Sequence, residues 1–409
     1  MNSKSIRGAV AVLGQGYVGL PLSIAATQAG WKVIGLDTDS NKVRDLSNAR
    51  SHIEDVTFDQ LSLAIEQGLT FSSDMSLISE CEIIIICVPT PLDINSNPDL
   101  SMLNVAIENV SKFARHQALL VNESTSYPST TRDVIAKTIM ELSPNLQLLY
   151  AVAPERVDPG NLDWTYERTP RLVSGLNPES IKKAVEFYSS FCETVISVEK
   201  PEVVEFAKVL ENSFRQVNIA LVNELTPLAS KLGISMFDVV EAAASKPYGY
   251  MPFWPGVGVG GHCIPVDPMY LSWFARQNSL KLQLIDSAQA INSMQPSQIA
   301  RLISQQEISE ESRILIVGIA YKAGTKDLRE SPSLELLKII SAKYSNVEWW
   351  DESITSWNGT VRSKLDYEFD LVVVTHPNKS EEVSDSLKRA KKIIDCTGKI
   401  RGLQNTISI

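Results

Sequence analysis

Between residues 9 and 200, short apolar runs alternate with stretches whose apolar residues recur every three or four positions. That rhythm predicts βαβ units on a parallel sheet. Strands are expected over 9–13, 32–36, 83–88, 119–122 and 148–152, with amphipathic helices such as 20–29 and 103–113 between them. A run at 194–198 is expected to close this domain. From 206 to 232 the pattern changes. Phe206, Leu210, Phe214, Val217, Leu221, Leu225, Leu228 and Leu232 form one stripe on a long helix. Pro201 suits its first turn and Pro227 is expected to kink it. A helix of this length joins domains or pairs with a second chain, so a homodimer is expected. Beyond 312 the βα rhythm returns, with strands at 313–317, 347–350, 371–375 and 392–396 and a helix opened by Ser331-Pro332 as cap and first turn. The expectation is an α/β chain of two doubly wound Rossmann-like domains joined by a long central helix. Their bounds are 1–200, 201–300 for the helical segment, and 312–409.

Composition narrows the class. A chain of 409 residues exceeds one core. Its longest apolar runs are strand-sized, far short of the ~20 residues that span a bilayer, and no signal-peptide pattern opens it. A net charge of −10 argues against a broad nucleic-acid surface but leaves room for a local phosphate pocket. A cytoplasmic protein with no membrane and no nucleic-acid partner is expected. Cys81 and Cys87 bracket one predicted strand, roughly 20 Å apart and beyond disulfide reach. They read as core residues, as do Cys192 and Cys396. The four histidines share no metal-ligand spacing with each other or with cysteine, so no metal is expected.

Two segments carry candidate chemistry. Gly14, Gly16 and Gly19 give GxGxxG after a predicted strand and at the opening of a predicted helix, with Tyr17 and Val18 inside the turn. Glycines there admit a pyrophosphate to helix N-terminal amides, and Asp37, ending the next strand, can accept ribose hydroxyls and would repel a 2′-phosphate. NAD is therefore favoured over NADP. The second segment, 255–268, has four glycines in six positions directly before His262 and Cys263. A thiolate at such a turn is a plausible nucleophile with Asp267 close by, while a structural loop with an inert cysteine explains the segment equally well. Lys208 and Asn212 share one helical face, about 200° from the apolar stripe. That face is either solvated or a pair of hydrogen-bond donors for a developing oxyanion.

Taken together, these motifs resemble the UDP-glucose/GDP-mannose dehydrogenase family over essentially the whole chain. The specific elements are Gly260-Gly261-His262-Cys263-Ile264-Pro265-Val266-Asp267-Pro268, Val88-Pro89-Thr90-Pro91, Lys208 with Asn212 and Asn223-Glu224, Glu123-Ser124-Thr125 and Pro154-Glu155-Arg156. The resemblance implies a four-electron oxidation of a sugar C6 alcohol to the carboxylate through a thiohemiacetal and a thioester on Cys263. It implies Lys208 and Asn212 as oxyanion donors, Asp267 and Thr125 around the proton-accepting water, and Glu155 in hydrolysis. Pro89, Thr90 and Thr125 would border NAD. Glu155, Arg156, Lys208, Asn212, Tyr250, Phe253 and Gly260 would border the sugar, and the C-terminal domain would hold UDP near Lys322 and Arg329.

Within the family the chain is most similar to enzymes acting on UDP-N-acetylhexosamines, UDP-N-acetylglucosamine in particular, through 155–161 and 246–253. UDP-N-acetylmannosamine and UDP-glucose are the alternatives. Two features depart from the pattern. Ser126-Tyr127-Pro128-Ser129 stands where relatives often read Val-Pro-Pro-Gly, and the closing segment Gly398-Lys399-Ile400-Arg401-Gly402 fits the family's arginine motif loosely. Two other readings stay open here: a β-hydroxyacid dehydrogenase, releasing one NADH per substrate rather than two, and a catalytically silent NAD-binding regulator.

Overall fold

A computed structural model describes residues 7–157, 163–377, 380–400 and 402–409. The chain divides into two compact units, Met1–Glu211 with Trp273–Asn278, and Asn212–Ser272 with Ser279–Ile409.

In the first unit β1 (Ala9–Leu13), β2 (Lys32–Leu36), β3 (Thr70–Ser72), β4 (Ile83–Ile86), β5 (Leu119–Asn122), β6 (Leu149–Val152), β7 (Arg171–Gly175) and β8 (Val195–Ser197) form one sheet, ordered β3-β2-β1-β4-β5-β6-β7-β8. The first six are parallel and follow the doubly wound dinucleotide-binding order. Both faces of such a sheet are covered, which is why Ile83, Ile84, Ile85 and Ile86 can all be apolar and buried. Val10, Val12, Ile85 and Val121 meet Leu20, Leu22 and Phe187 on one face. Ala11, Leu13, Ile84 and Leu120 meet Leu103, Ile107 and Ile139 on the other.

The sheet does not end at the sixth strand. β7 adds antiparallel to β6, and the run expected at 194–198 becomes β8, parallel to β7. Neither β3 nor β7 is signalled by alternation. The first is three residues long, and the second opens on a charge and ends in Ser174-Gly175.

The second unit repeats the architecture. β9 (Arg313–Val317), β10 (Asn346–Trp350), β13 (Leu371–Val374), β14 (Lys392–Asp395) and β15 (Thr406–Ser408) are all parallel in the order β10-β9-β13-β14-β15, while β11 (Ser356–Trp357) and β12 (Thr360–Val361) pair separately. Asp351, just past β10, accepts from the amides of Ile319 (2.9 Å) and Ala320 (3.2 Å) through Oδ2, and from those of Ser353 (2.9 Å) and Ile354 (3.3 Å) through Oδ1. Ser331 stands at the cap of helix Pro332–Ser341, but it does not cap. Its hydroxyl donates to Ile319 O at 2.7 Å instead.

Helix Pro201–Lys231 continues through Pro227. Its apolar stripe faces out: Phe206, Leu210, Phe214, Leu221, Leu225, Leu228 and Leu232 are 39–67% exposed. The opposite face, with Glu205, Lys208, Asn212, Gln216 and Asn223, is buried, so the solvated-face reading of Lys208 and Asn212 is wrong. Helical periodicity separates two faces without saying which one meets protein.

Glu205 shows what a buried polar face demands. Its carboxylate accepts from Ser129 N at 2.6 Å and Thr131 N at 2.8 Å, holding the start of the π-helical turn Thr130–Ala136. Ser129 has φ +77°, the left-handed conformation that a glycine adopts without strain, so the backbone keeps the geometry that the glycine of Val-Pro-Pro-Gly suits although a serine stands there. Ser129→Gly is expected to stabilise the protein by about 1 kcal/mol, measured by denaturant titration. Burial pushes the Glu205 carboxyl up to about 7, although the hydrogen bonds from Thr131 and Ser129 act the other way. Between the unfolded value near 4.5 and about 7, the folded chain holds a proton that the unfolded chain has lost, so stability falls as pH rises through that window. Glu205→Gln should therefore show a flatter thermal midpoint between pH 5 and 7.5 than wild type, and an unchanged slope would contradict this assignment.

Candidate active site

In the first unit β1 delivers the chain to Gly14 (φ +91°), where a Cβ would lie 2.5 Å from Cys87 O. A Cβ at Gly16 would meet no protein atom within 4 Å, so the space over this turn is open. Helix Gly19–Gln28 starts here with no acidic residue in its first turn, and its N-terminal amides suit a pyrophosphate. Asp37 lies at the end of β2, buried. Its Oδ2 accepts from Gln15 N (2.9 Å) and Lys42 Nζ (2.9 Å), and its Oδ1 from Asp39 N (3.0 Å). Burial pushes this carboxyl up, but the bonds from Gln15, Lys42 and Asp39 outweigh it and hold it below the usual range, so it is ionised. Lys42 escaped the sequence reading, although a lysine five residues after the aspartate is the signal.

Thr90 and Thr125 follow β4 and β5, with Thr90 Oγ1 donating to Thr125 O at 2.7 Å. These and the glycine turn flank β1 and β4, where the strand order reverses and doubly wound folds bind ligands. Tyr17 is exposed with its hydroxyl 3.5 Å from Glu54, Val18 is half-buried, and Pro89 is exposed.

Glu155 and Arg156 leave the end of β6. Glu155 Oε1 accepts from Val157 N. Arg156 donates to Glu211 (2.6 and 3.2 Å) and to Pro170 O (2.8 Å), so much of its fork is directed at protein rather than held ready for a sugar. Asp158, Pro159, Gly160 and Asn161 lie outside the described residues, as does Arg401.

In the second unit Cys263 is exposed on the turn before helix Asp267–Gln277, with its carbonyl accepting from Asp267 N at 2.9 Å. Asn212 Nδ2 donates to Asp267 Oδ2 at 2.6 Å, and both residues are buried. The glycine loop is pressed against the chain from Tyr321 to Pro332. A Cβ at Gly260 would lie 2.7 Å from Pro332, and one at Gly261 (φ +83°) 2.6 Å from the Tyr321 ring. Asn223 holds the start of the loop, accepting from Gly256 N at 3.0 Å and donating to Asn292 at 3.0 Å. Burial and the nearby Arg329 guanidinium keep the His262 pKa low, so the imidazole beside Cys263 is neutral at pH 7.

Arg329 itself forks onto Asp327 at 2.5–3.0 Å, and Lys322 is half-buried. Tyr250 is exposed, whereas Phe253 sits edge-on to Phe214 at 5.6 Å. Lys399 lies over the Trp254 ring at 5.7 Å. Cys81, Cys87, Cys192 and Cys396 are buried, as expected of core residues.

Comparison with known proteins decides the affiliation. The NAD binding domain of the UDP-glucose/GDP-mannose dehydrogenase family matches residues 8–192, and the family's central domain matches residues 202–294. A UDP-N-acetyl-D-mannosamine dehydrogenase of Pyrococcus horikoshii is 33% identical over 94% of each chain. The chain belongs to the UDP-glucose/GDP-mannose dehydrogenase family. A UDP-N-acetyl-D-glucosamine 6-dehydrogenase of Pseudomonas aeruginosa is 30% identical, covering 85% of this chain and 83% of its own. The solved structure of a UDP-D-ManNAc dehydrogenase from Pyrococcus horikoshii has a TM-score of 0.89 at 31% identity, covering 98% of both chains.

This nucleotide-sugar dehydrogenase uses NAD. The open glycine turn and the ionised Asp37 fit that cofactor. Neither the β-hydroxyacid dehydrogenase nor the silent regulator survives. Among the described residues no helix is long and apolar enough to cross a membrane. Initial rates with each cofactor should favour NAD over NADP by at least about tenfold, and Asp37→Ser should narrow that ratio. Equal use of NADP by wild type would contradict the role of Asp37.

Proposed function

We propose that this enzyme oxidises the C6 alcohol of UDP-N-acetylmannosamine to the carboxylate in two steps. The observation that carries the substrate is the near full-length similarity to relatives that bear that name, with the N-acetylglucosamine enzyme beside them. This moves the preferred sugar from the 2-epimer expected from 155–161 and 246–253 and keeps the acetamido class.

The chemistry rests on Cys263, an exposed thiol on a loop fixed by Gly260, Gly261 and Asn223. NAD, when bound, accepts one hydride in each oxidation. After the first, Cys263 adds its sulfur to the aldehyde carbon and gives a thiohemiacetal. Loss of the second hydride leaves a thioester, and water then releases the carboxylate and returns the thiol. Per substrate, two NAD and one water become two NADH and three protons.

Asn212 donates to the developing oxyanion, its amide oriented by Asp267, and Lys208, one helical turn earlier, is the second donor. Asp267 and Thr125 orient the proton-accepting water, and Glu155 assists hydrolysis. Tyr250 and Phe253 border the sugar, while the second unit holds UDP near Lys322 and Arg329. A site built around an amide discriminates by roughly tenfold to a hundredfold against a sugar without one.

The outward stripe of Pro201–Lys231 pairs with that of a second copy. Seven half-exposed Phe and Leu side chains offer about 600 Å² per chain, near the ~800 Å² per partner of a standard interface.

NADH formation with UDP-N-acetylmannosamine, UDP-N-acetylglucosamine, UDP-N-acetylgalactosamine and UDP-glucose tests the substrate. The expected order places the first highest in kcat/KM, with two NADH per sugar. A best rate with UDP-glucose would overturn the assignment. Cys263→Ser should abolish carboxylate formation. Sedimentation should give twice the chain mass for wild type and a monomer for Leu221→Glu with Leu228→Glu.

A further inference from the structure

Beneath the Glu155 segment lies a group of buried polar side chains with no part in the chemistry above. Glu123 follows β5, its amide bonded to Ile86 O at 2.9 Å. Its Oε1 accepts from Tyr188 Oη at 2.6 Å and Tyr166 Oη at 3.3 Å. Its Oε2 lies 3.6 Å from Arg171 Nη1 and 4.0 Å from Cys87 Sγ. Arg171 opens β7, and its guanidinium lies over the rings of Tyr166 (4.5 Å) and Tyr188 (5.4 Å). Glu123 and Arg171 are 1% and 2% exposed.

A buried ion pair is a poor source of stability, because desolvation of both charges offsets their attraction. It does fix position, and here it fixes one particular stretch of chain. The β5–β6 ladder reaches its end with Ala153 N donating to Asn122 O at 3.0 Å. Beyond it the chain from Ala153 to Val157 has no strand partner, and Pro154 has no N–H to offer. Arg171 Nη1 takes over there, donating to Ala153 O at 3.3 Å and Pro154 O at 3.2 Å. The residue after those two carbonyls is Glu155. At its other end the ion pair starts Glu123-Ser124-Thr125, so one buried pair sets the backbone of both segments.

We propose that Arg171, held by Glu123 between Tyr166 and Tyr188, is the positioning residue that aims Glu155 for thioester hydrolysis. The inference rests on the reading of Glu155 as the group that assists that step. Burial pushes the Glu123 carboxyl up, and the neighbouring Arg171 guanidinium and the hydrogen bond from Tyr188 pull it down.

Rapid mixing of the full-length enzyme with NAD and UDP-N-acetylmannosamine, followed by intact-mass spectrometry, tests it. Arg171→Lys keeps a charge opposite Glu123 but loses the planar group that lies over Tyr166 and Tyr188 and carries Nη1 to the two carbonyls. It is expected to form two NADH per site quickly and then turn over about tenfold to a hundredfold more slowly. A nucleotide-sugar adduct on Cys263 should accumulate above the wild-type level, with both KM values within about threefold. Tyr188→Phe keeps the ring and removes one bond to Glu123. It should show the same signature at a smaller amplitude, and it carries the test if Arg171→Lys does not fold.

Wild-type kcat in the folded variants overturns the proposal. So does slow turnover with no burst and no adduct, which marks damage to the hydride steps instead. Glu155→Gln is the control. Adduct in Glu155→Gln but not in the Arg171 and Tyr188 variants sinks the positioning role alone. Normal turnover without adduct in Glu155→Gln sinks the reading of Glu155 itself.

Discussion

Helix Pro201–Lys231 turns Glu205, Lys208, Asn212, Gln216 and Asn223 inward, and a buried polar group without a partner costs about 1–3 kcal/mol. That requirement dictates much of the surrounding backbone. In the first unit Glu205 is satisfied by the amides of Ser129 and Thr131, which fixes the turn after Thr125. In the second unit Asn212 is satisfied by Asp267, Gln216 bonds Gln289, and Asn223 is satisfied by Gly256 N and Asn292. Loops with little regular structure of their own are thereby held to a rigid rod. The apolar residues displaced from that side lie on the outward face, where Phe206, Leu210, Phe214, Leu221, Leu225 and Leu228 are exposed.

A similar division of labour runs through both units. Parallel strands covered on both faces supply the stability through fully buried Val, Ile and Leu. Polar groups collect where the strands end, and their work is orientation. Glu123 with Arg171, Asp37 with Lys42, and Asp327 with Arg329 all sit just beyond or beside strand ends or loops. Arginine suits such places because its planar fork can hold several acceptors at once.

What was legible in the sequence was local. The strand, glycine turn, helix and following aspartate of the first fingerprint lie within thirty residues, and each element has its own signal. The glycines before Cys263 announced a tight loop, but the reason for them, the Tyr321 ring and Pro332 some sixty residues on, is a matter of tertiary packing. The inward face of the long helix was invisible because a 3.6-residue period reads the same from either side. Arg171 was hidden more deeply. An arginine before Leu172-Val173 looks like a flanking charge, and only the assembled sheet puts it over two tyrosines and against Glu123. The resemblance to a known family supplied candidate roles without supplying these supports.

Asp37 and Asp351 occupy equivalent places, each just past the second strand of a doubly wound sheet and each reaching back to amides after the first. An ionised carboxylate offers about four acceptor positions. Asp351 has all four filled by its own backbone, from Ile319, Ala320, Ser353 and Ile354. Asp37 has three filled, by Gln15, Lys42 and Asp39. One carboxylate is a closed rivet and the other an open hook. A ribose hydroxyl can still hang on the first unit's hook, whereas any nucleotide on the second unit must be gripped by other groups. Among the described residues, that vacant lone pair is what distinguishes the two carboxylates.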